Sequence, residues 1–179
     1  MPVFGLNHAV LYVRDVERTL EFYSSVLGFE FRYGTPGRSA FLAAPGSFND
    51  HDLALFAIGD AACDSDAGRA TVGMYHLGWE VDTLAELQRL GSALREVGAL
   101  VGATDHGASK SLYAKDPDGL EFELAWMVPR DDFPGMDGSA RRPLDLRAEI
   151  ERFGATRLSH SLAGLQRGSG TGAQQQSSE

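Results

Sequence analysis

One sequence feature constrains this chain more than any other: it contains the same short unit twice. Leu6-Asn7-His8 leads through a β-branched and aromatic run to Val13 and Asp15. About 68 residues later Met74-Tyr75-His76 leads through a similar run to Val81 and Asp82. In both copies a histidine opens a strand-like segment, Val follows five residues on, and an Asp precedes a helix-like pattern. The period is too long for a solenoid repeat and points to a duplicated module.

Each copy reads as a strand, a helix and three further strands. In the first, Val10–Val13 has strand character. Asp15 is an N-cap residue, Val16, Leu20, Tyr23 and Leu27 recur at helical spacing, and Gly28 stops the helix. In the second, Thr83 and Glu86 have capping-box spacing, Leu87, Leu90, Leu94 and Val97 form the apolar stripe, and Gly98 ends it. Strands are expected near 29–33, 39–44 and 52–58, and again near 100–104, 109–115 and 119–127. Asp116-Pro117-Asp118-Gly119 is a turn, since Pro fixes φ and Gly tolerates positive φ. The predicted class is α+β, two βαβββ modules at about 1–60 and 71–128. Residues 129–167 read as an extension: an irregular stretch to Arg142, then a short helix over 145–153 with Leu146, Ile150 and Phe153 on one face. Residues 168–179 are Gly, Ser, Gln and Thr-rich and are expected to be disordered.

Charge and cysteine usage exclude some functions. The net charge is -9, and Lys and Arg form no stripe, which argues against nucleic acid. No apolar run approaches the roughly 20 residues that span a bilayer. The N-terminus has no signal-peptide pattern, and Cys63 has no partner for a disulfide, so a cytoplasmic location is expected. Cys63 lies in the polar stretch Asp60–Arg69, which reads as a loop inserted before the second module, and is taken as an incidental thiol.

The duplication singles out His8 and His76, which hold equivalent places in the two copies. Alternation around His76 puts Tyr75, Leu77, Trp79 and Val81 on one face and His76, Gly78 and Glu80 on the other. In the last strand, Leu120, Phe122, Leu124 and Trp126 form the buried face, with Glu121 and Glu123 opposite. Two imidazoles and one carboxylate are the donor set of a facial triad, suited to iron(II) and able to hold Mn(II).

Three stretches carry a family resemblance: Asn7-His8-Ala9-Val10, Phe22-Tyr23-Ser24-Ser25-Val26-Leu27-Gly28-Phe29, and Asp116-Pro117-Asp118-Gly119-Leu120-Glu121-Phe122-Glu123. Over about residues 3–127 the chain resembles the vicinal oxygen chelate superfamily of glyoxalases, bleomycin and fosfomycin resistance proteins, methylmalonyl-CoA epimerases and extradiol dioxygenases. The resemblance implies paired modules forming an incomplete barrel around a metal held by His8, His76 and Glu123, with homodimers common. It is closest to short extradiol ring-cleaving members of the catechol 2,3-dioxygenase type. His51 resembles their acid–base histidine, His106 their substrate-contacting histidine, and Tyr113 the tyrosine near the catecholic oxygens. The implied activity is metal-dependent cleavage of a catechol-like diol with O₂, using Fe(II) or Mn(II). Phe41, Tyr12 and Phe48 are the expected walls for an aromatic guest. The alternatives within the superfamily are a lyase or isomerase and a resistance protein that binds its drug without a metal. Glyoxalases use a fourth ligand on the strand closing the first module, and Leu53–Ile58 offers no acid there.

Overall fold

In the computed structural model, residues 2–3, 5–132 and 140–162 are described. The chain is α+β and runs β1 (Ala9–Val13), α1 (Val16–Leu27), β2 (Glu30–Thr35), β3 (Ser39–Ala43) and β4 (Leu53–Ala57). It continues through β5 (His76–Glu80), α2 (Leu84–Glu96), β6 (Leu100–Asp105), β7 (Ser109–Lys115) and β8 (Glu121–Met127), then β9 (Arg142–Pro143) and α3 (Leu146–Phe153). Two compact units result: Met1–Tyr75 with Lys115–Glu121, and His76–Ala114 with Phe122–Glu179. The expected disordered tail, 168–179, lies outside the described residues.

The first unit holds an open four-stranded sheet in the order β1-β4-β3-β2. β1 and β4 run parallel, Ala9 opposite Leu53, and the other pairs are antiparallel. α1 begins where Asp15 accepts the Arg18 N–H and ends at Gly28, whose φ of 79° supplies the left-handed cap. Its inner face (Val16, Tyr23, Val26, Leu27) and the sheet residues Leu11, Val13, Leu42, Leu53 and Leu55 form the core. Full burial of one such side chain is worth about 1.5–3 kcal/mol.

The Asp116–Gly119 turn belongs to this unit although it lies far along the chain. Asp118 accepts from the Arg14 backbone and guanidinium at 3.2 and 3.0 Å, from Arg18 at 2.8 Å and from Thr19 at 3.3 Å. Asp116 turns inward and takes the backbone N–H groups of Asp118 and Leu120, each at 2.9 Å. Capture of the Leu120 N–H explains why β8 begins at Glu121 rather than at 119.

The second unit holds an open sheet in the order β5-β8-β7-β6-β9. Thr83 Oγ1 accepts the Glu86 N–H at 3.2 Å to start α2. Leu84, Leu87, Leu90 and Leu94 are buried, but Val97 is 56% exposed. It caps the helix, so the apolar stripe ends one turn before the expected position. Gly91 lets α2 lie close to the sheet: a Cβ there would meet Leu112 Cδ1 at 3.0 Å.

After Met127 the chain straps back over this unit. β9 pairs with β6 at Thr104 and Asp105, a two-residue strand that starts at Arg142, the last residue of the stretch read from sequence as irregular. α3 forms as expected, packs on α2 and places Phe153 5.3 Å from the buried Trp126 ring. The Trp126 indole N–H donates to Arg157 O at 3.0 Å, and Ser159 Oγ accepts from Met127 N at 3.0 Å. Lys110, 1% exposed, is held by Asp105 at 2.5 Å and Glu149 at 3.1 Å. Burial acts to raise the Asp105 carboxyl, but hydrogen bonds from Lys110 and Gly107 outweigh it and hold its pKa below the usual aspartate range. A chain ending at 143 strips Trp126 of Phe153 and Arg157 and strips Lys110 of Glu149. It should melt at lower temperature and lose solubility on heating, which calorimetry and light scattering will show.

Asp116 provides a pH test of the fold. Burial raises its pKa from 3.8 to about 6, against the hydrogen bonds from Leu120 and Asp118. The native state thus binds the extra proton between those values, and stability falls as pH rises through that window. Asp116→Asn keeps an acceptor for both backbone N–H groups and removes that slope. Relative to the parent, the variant should gain in melting temperature from pH 4 to pH 7, measured by thermal denaturation at each pH.

Candidate metal and substrate site

The named site residues divide between the two units. His8, at the mouth of β1, and His51, just before β4, lie in the first; His76, His106, Tyr113 and Glu123 lie in the second.

In the first unit the two histidine rings pack at 4.5 Å between centroids. Asn7 Oδ1 lies 2.7 Å from His8 Nδ1, so that nitrogen carries the proton and Nε2 keeps its lone pair. His51 Nδ1 faces Asp50 Oδ2 at 3.0 Å, which likewise leaves its Nε2 free to accept. The Tyr33 hydroxyl donates to the same Asp50 oxygen at 2.5 Å. These two bonds, the Tyr33 bond first, hold the Asp50 carboxyl below the usual aspartate range. Phe41 stacks on Tyr33 at 4.6 Å and meets His51 edge-on at 5.0 Å and Phe56 at 5.8 Å. Tyr12, exposed, lies opposite Phe56 of this group across the β1–β4 pair. Of the expected aromatic walls, Phe41 joins the cluster, Tyr12 is 71% exposed beside it, and Phe48 is 97% exposed.

In the second unit β8 alternates strictly. Phe122, Leu124 and Trp126 are buried, which turns Glu123 to the opposite face. There Glu123 Oε2 meets His76 Nε2 at 3.1 Å, and Glu123 Oε1 accepts the Tyr113 hydroxyl at 3.2 Å. Tyr113 Oη in turn lies 2.8 Å from His106 Nε2. His76, Glu123, Tyr113 and His106 thus form one polar chain across β5, β8, β7 and the loop after β6.

Among the described residues, no group of three or more His, Cys, Asp or Glu gathers tightly enough to hold a metal ion. The two expected ligands that meet are His76 and Glu123. Their chemistry fits an ion: two bonds of about 2.1 Å at about a right angle put adjacent donor atoms about 3 Å apart. The 3.1 Å between His76 Nε2 and Glu123 Oε2 matches that spacing. Sequence reasoning gave no site role to Asn7, Asp50, Tyr33 or Arg141. The first two could have been found as polar neighbours of His8 and His51. Tyr33 arrives from another strand and Arg141 from the strap, and neither carries a local signal.

Residues 5–124 match the Glyoxalase/Bleomycin resistance protein/Dioxygenase superfamily. The chain belongs to that superfamily. A catechol-2,3-dioxygenase from Bacillus subtilis is 32% identical over 125 residues, which make up 70% of this chain and 42% of that protein. The chain therefore spans under half the length of that relative. A glyoxalase/bleomycin resistance protein/dioxygenase domain from Frankia sp. has a TM-score of 0.59 at 22% identity, covering 70% of this chain and 99% of that one. A fosfomycin resistance protein from Listeria monocytogenes, solved with Mn(II) and dihydroxypropylphosphonic acid, has a TM-score of 0.55 at 21% identity, covering 72% of this chain and 94% of that one. Members of this superfamily bind divalent metals, and many are enzymes. Among the described residues of this chain, no helix is long and apolar enough to cross a membrane.

The Asp50 cluster is directly testable. A carboxyl with a depressed native pKa contributes stability above its ordinary value of 3.8, and that contribution is lost as pH falls through the native pKa. Tyr33→Phe removes the larger of the two bonds, so the Asp50 midpoint, followed by carbonyl carbon NMR, should move up toward 3.8.

Proposed function

We propose that this chain is an extradiol ring-cleaving dioxygenase that opens a catechol-like aromatic diol with O₂. It would use Fe(II), or Mn(II), held by His8, His76 and Glu123. The observation that carries the reading is the Glu123 carboxylate, with one oxygen against His76 Nε2 and the other fixed by Tyr113. The likeness to a catechol-2,3-dioxygenase supports the same chemistry.

The bound ion would supply a template for diol and O₂ and a route for electrons between them. The remaining work falls to the chain. His8 and His76 would each offer an imidazole nitrogen to the ion. Tyr113, whose hydrogen is committed to Glu123, presents its oxygen to a hydroxyl of the diol. His106 stands behind Tyr113 and holds that oxygen in place. His51, with Nδ1 turned to Asp50, offers Nε2 as a base for a diol proton and can return it later in turnover. The face of Phe41, Tyr33 and Phe56 suits a flat aromatic guest. The active species is proposed to be a homodimer.

Two measurements decide the reading. Protein purified anaerobically and loaded with Fe(II) should bind about one ion per chain by elemental analysis, and His76→Ala should lose most of it; full occupancy in that variant would remove the metal assignment. The loaded protein should consume O₂ with at least one member of a catechol panel. His51→Phe should keep metal and substrate yet lose turnover by roughly 10²- to 10⁴-fold. No O₂ uptake across the panel, together with anaerobic turnover of a thiohemiacetal or an epimerisable thioester, would assign a lyase or isomerase instead.

A further inference from the structure

His106 has three polar neighbours. Nε2 faces Tyr113 Oη at 2.8 Å, while Nδ1 faces both the Ala140 carbonyl at 3.1 Å and Arg141 Nη1 at 2.7 Å. The two neighbours of Nδ1 make opposite demands, because a carbonyl only accepts and a guanidinium only donates. If Nδ1 carries the proton for Ala140, Nε2 must accept from Tyr113, and the Tyr113 hydroxyl has no hydrogen left for Glu123. If Nδ1 keeps its lone pair for Arg141, Nε2–H donates to Tyr113 and Tyr113 donates to Glu123. Only the second arrangement satisfies every contact from Arg141 to the carboxylate. It also uses the shorter, charge-assisted bond, which is roughly twice as strong as a neutral one.

We propose that Arg141, supplied by the C-terminal strap, is a positioning residue that holds His106 as the Nε2–H tautomer and thereby directs the hydrogens of the relay toward Glu123. The neighbouring Arg142 turns to Asp105 at 3.9 Å, and β9 pairs with β6 beside it, so the strap is anchored where Arg141 leaves it. The role deepens the proposed function and rests on it for the meaning of the relay: it decides whether the Tyr113 hydrogen goes to Glu123, a proposed metal ligand, or back to His106. A charge-assisted bond of this kind biases a tautomer ratio by about 10- to 100-fold.

The test is two-bond proton–nitrogen correlation NMR on the full-length, metal-free chain with ¹⁵N-labelled histidine, the His106 signals being assigned by their loss in His106→Gln. His106 should be protonated at Nε2 and bare at Nδ1. Arg141→Leu should reverse this, with Nδ1–H turning to Ala140 O, while Arg141→Lys, which keeps a charged donor, should retain the parent tautomer. Protonation at Nδ1 in the parent, an unchanged tautomer in Arg141→Leu, or reversal by lysine as by leucine would each overturn the proposal. Because the readout is the position of one proton, its failure leaves the dioxygenase reading to the oxygen electrode, and a failure there leaves the tautomer result standing.

Discussion

The two-residue repeat of β8 is the constraint on which the candidate site depends. Burial of Phe122, Leu124 and Trp126 against the second unit's core gives the strand one allowed register. A slip of one residue would bury Glu121 and Glu123 and expose three large apolar side chains. The cost of desolvating two carboxylates forbids that slip. Glu123 therefore stands on the polar face through the free energy of the core behind it. His76 on β5 and Tyr113 on β7 reach it because β8 lies between those two strands.

Each unit prepares its histidines differently. In the first, acceptors beside His8 and His51 take the Nδ1 proton and leave both Nε2 atoms as lone-pair donors. In the second, the polar chain runs through a phenol and a carboxylate, where the direction of each hydrogen is a cooperative property of the row. These are the two ways a scaffold fixes an imidazole: by a local acceptor one residue away, or by a neighbour brought from a distant segment. The first is cheap in chain entropy, since adjacent residues are already close. The second requires the sheet and the strap to be in place.

What the sequence made legible follows the same division. The helices and strands came from periodicity and caps, because Asp15, Thr83, Gly28 and the alternation in β8 act within a few residues of where they stand. Departures occurred where a distant or competing contact intervened. Val97 matches the helical stripe but serves as a cap and is exposed. Leu120 matches the strand but gives its N–H to Asp116. Arg142 and Pro143 lie where a Pro- and Gly-rich stretch ends, yet they pair with β6. The site behaved alike: the duplication pointed to His8 and His76, and the family motif pointed to Glu123, but Tyr33 and Arg141 matter only through folded neighbours. Placing His51 beside His8, and His106 beside Tyr113, needed the sheet as well as the motif.

The turn that carries Asp118 has a consequence for how the chain becomes a protein. Its partners Arg14 and Arg18 lie 104 and 100 residues earlier. During synthesis the first module is complete in sequence at about residue 60, yet the carboxylate that joins its first strand to its first helix does not yet exist. Loop closure over such a span is paid late, and contacts of this separation slow folding. Until nearly the whole of the second copy has been made, Arg14 has Asp64 to pair with, but neither arginine has Asp118. The first compact unit is thus drawn from two stretches of chain that synthesis delivers far apart in time, and its last electrostatic tie hangs on the position of a single aspartate.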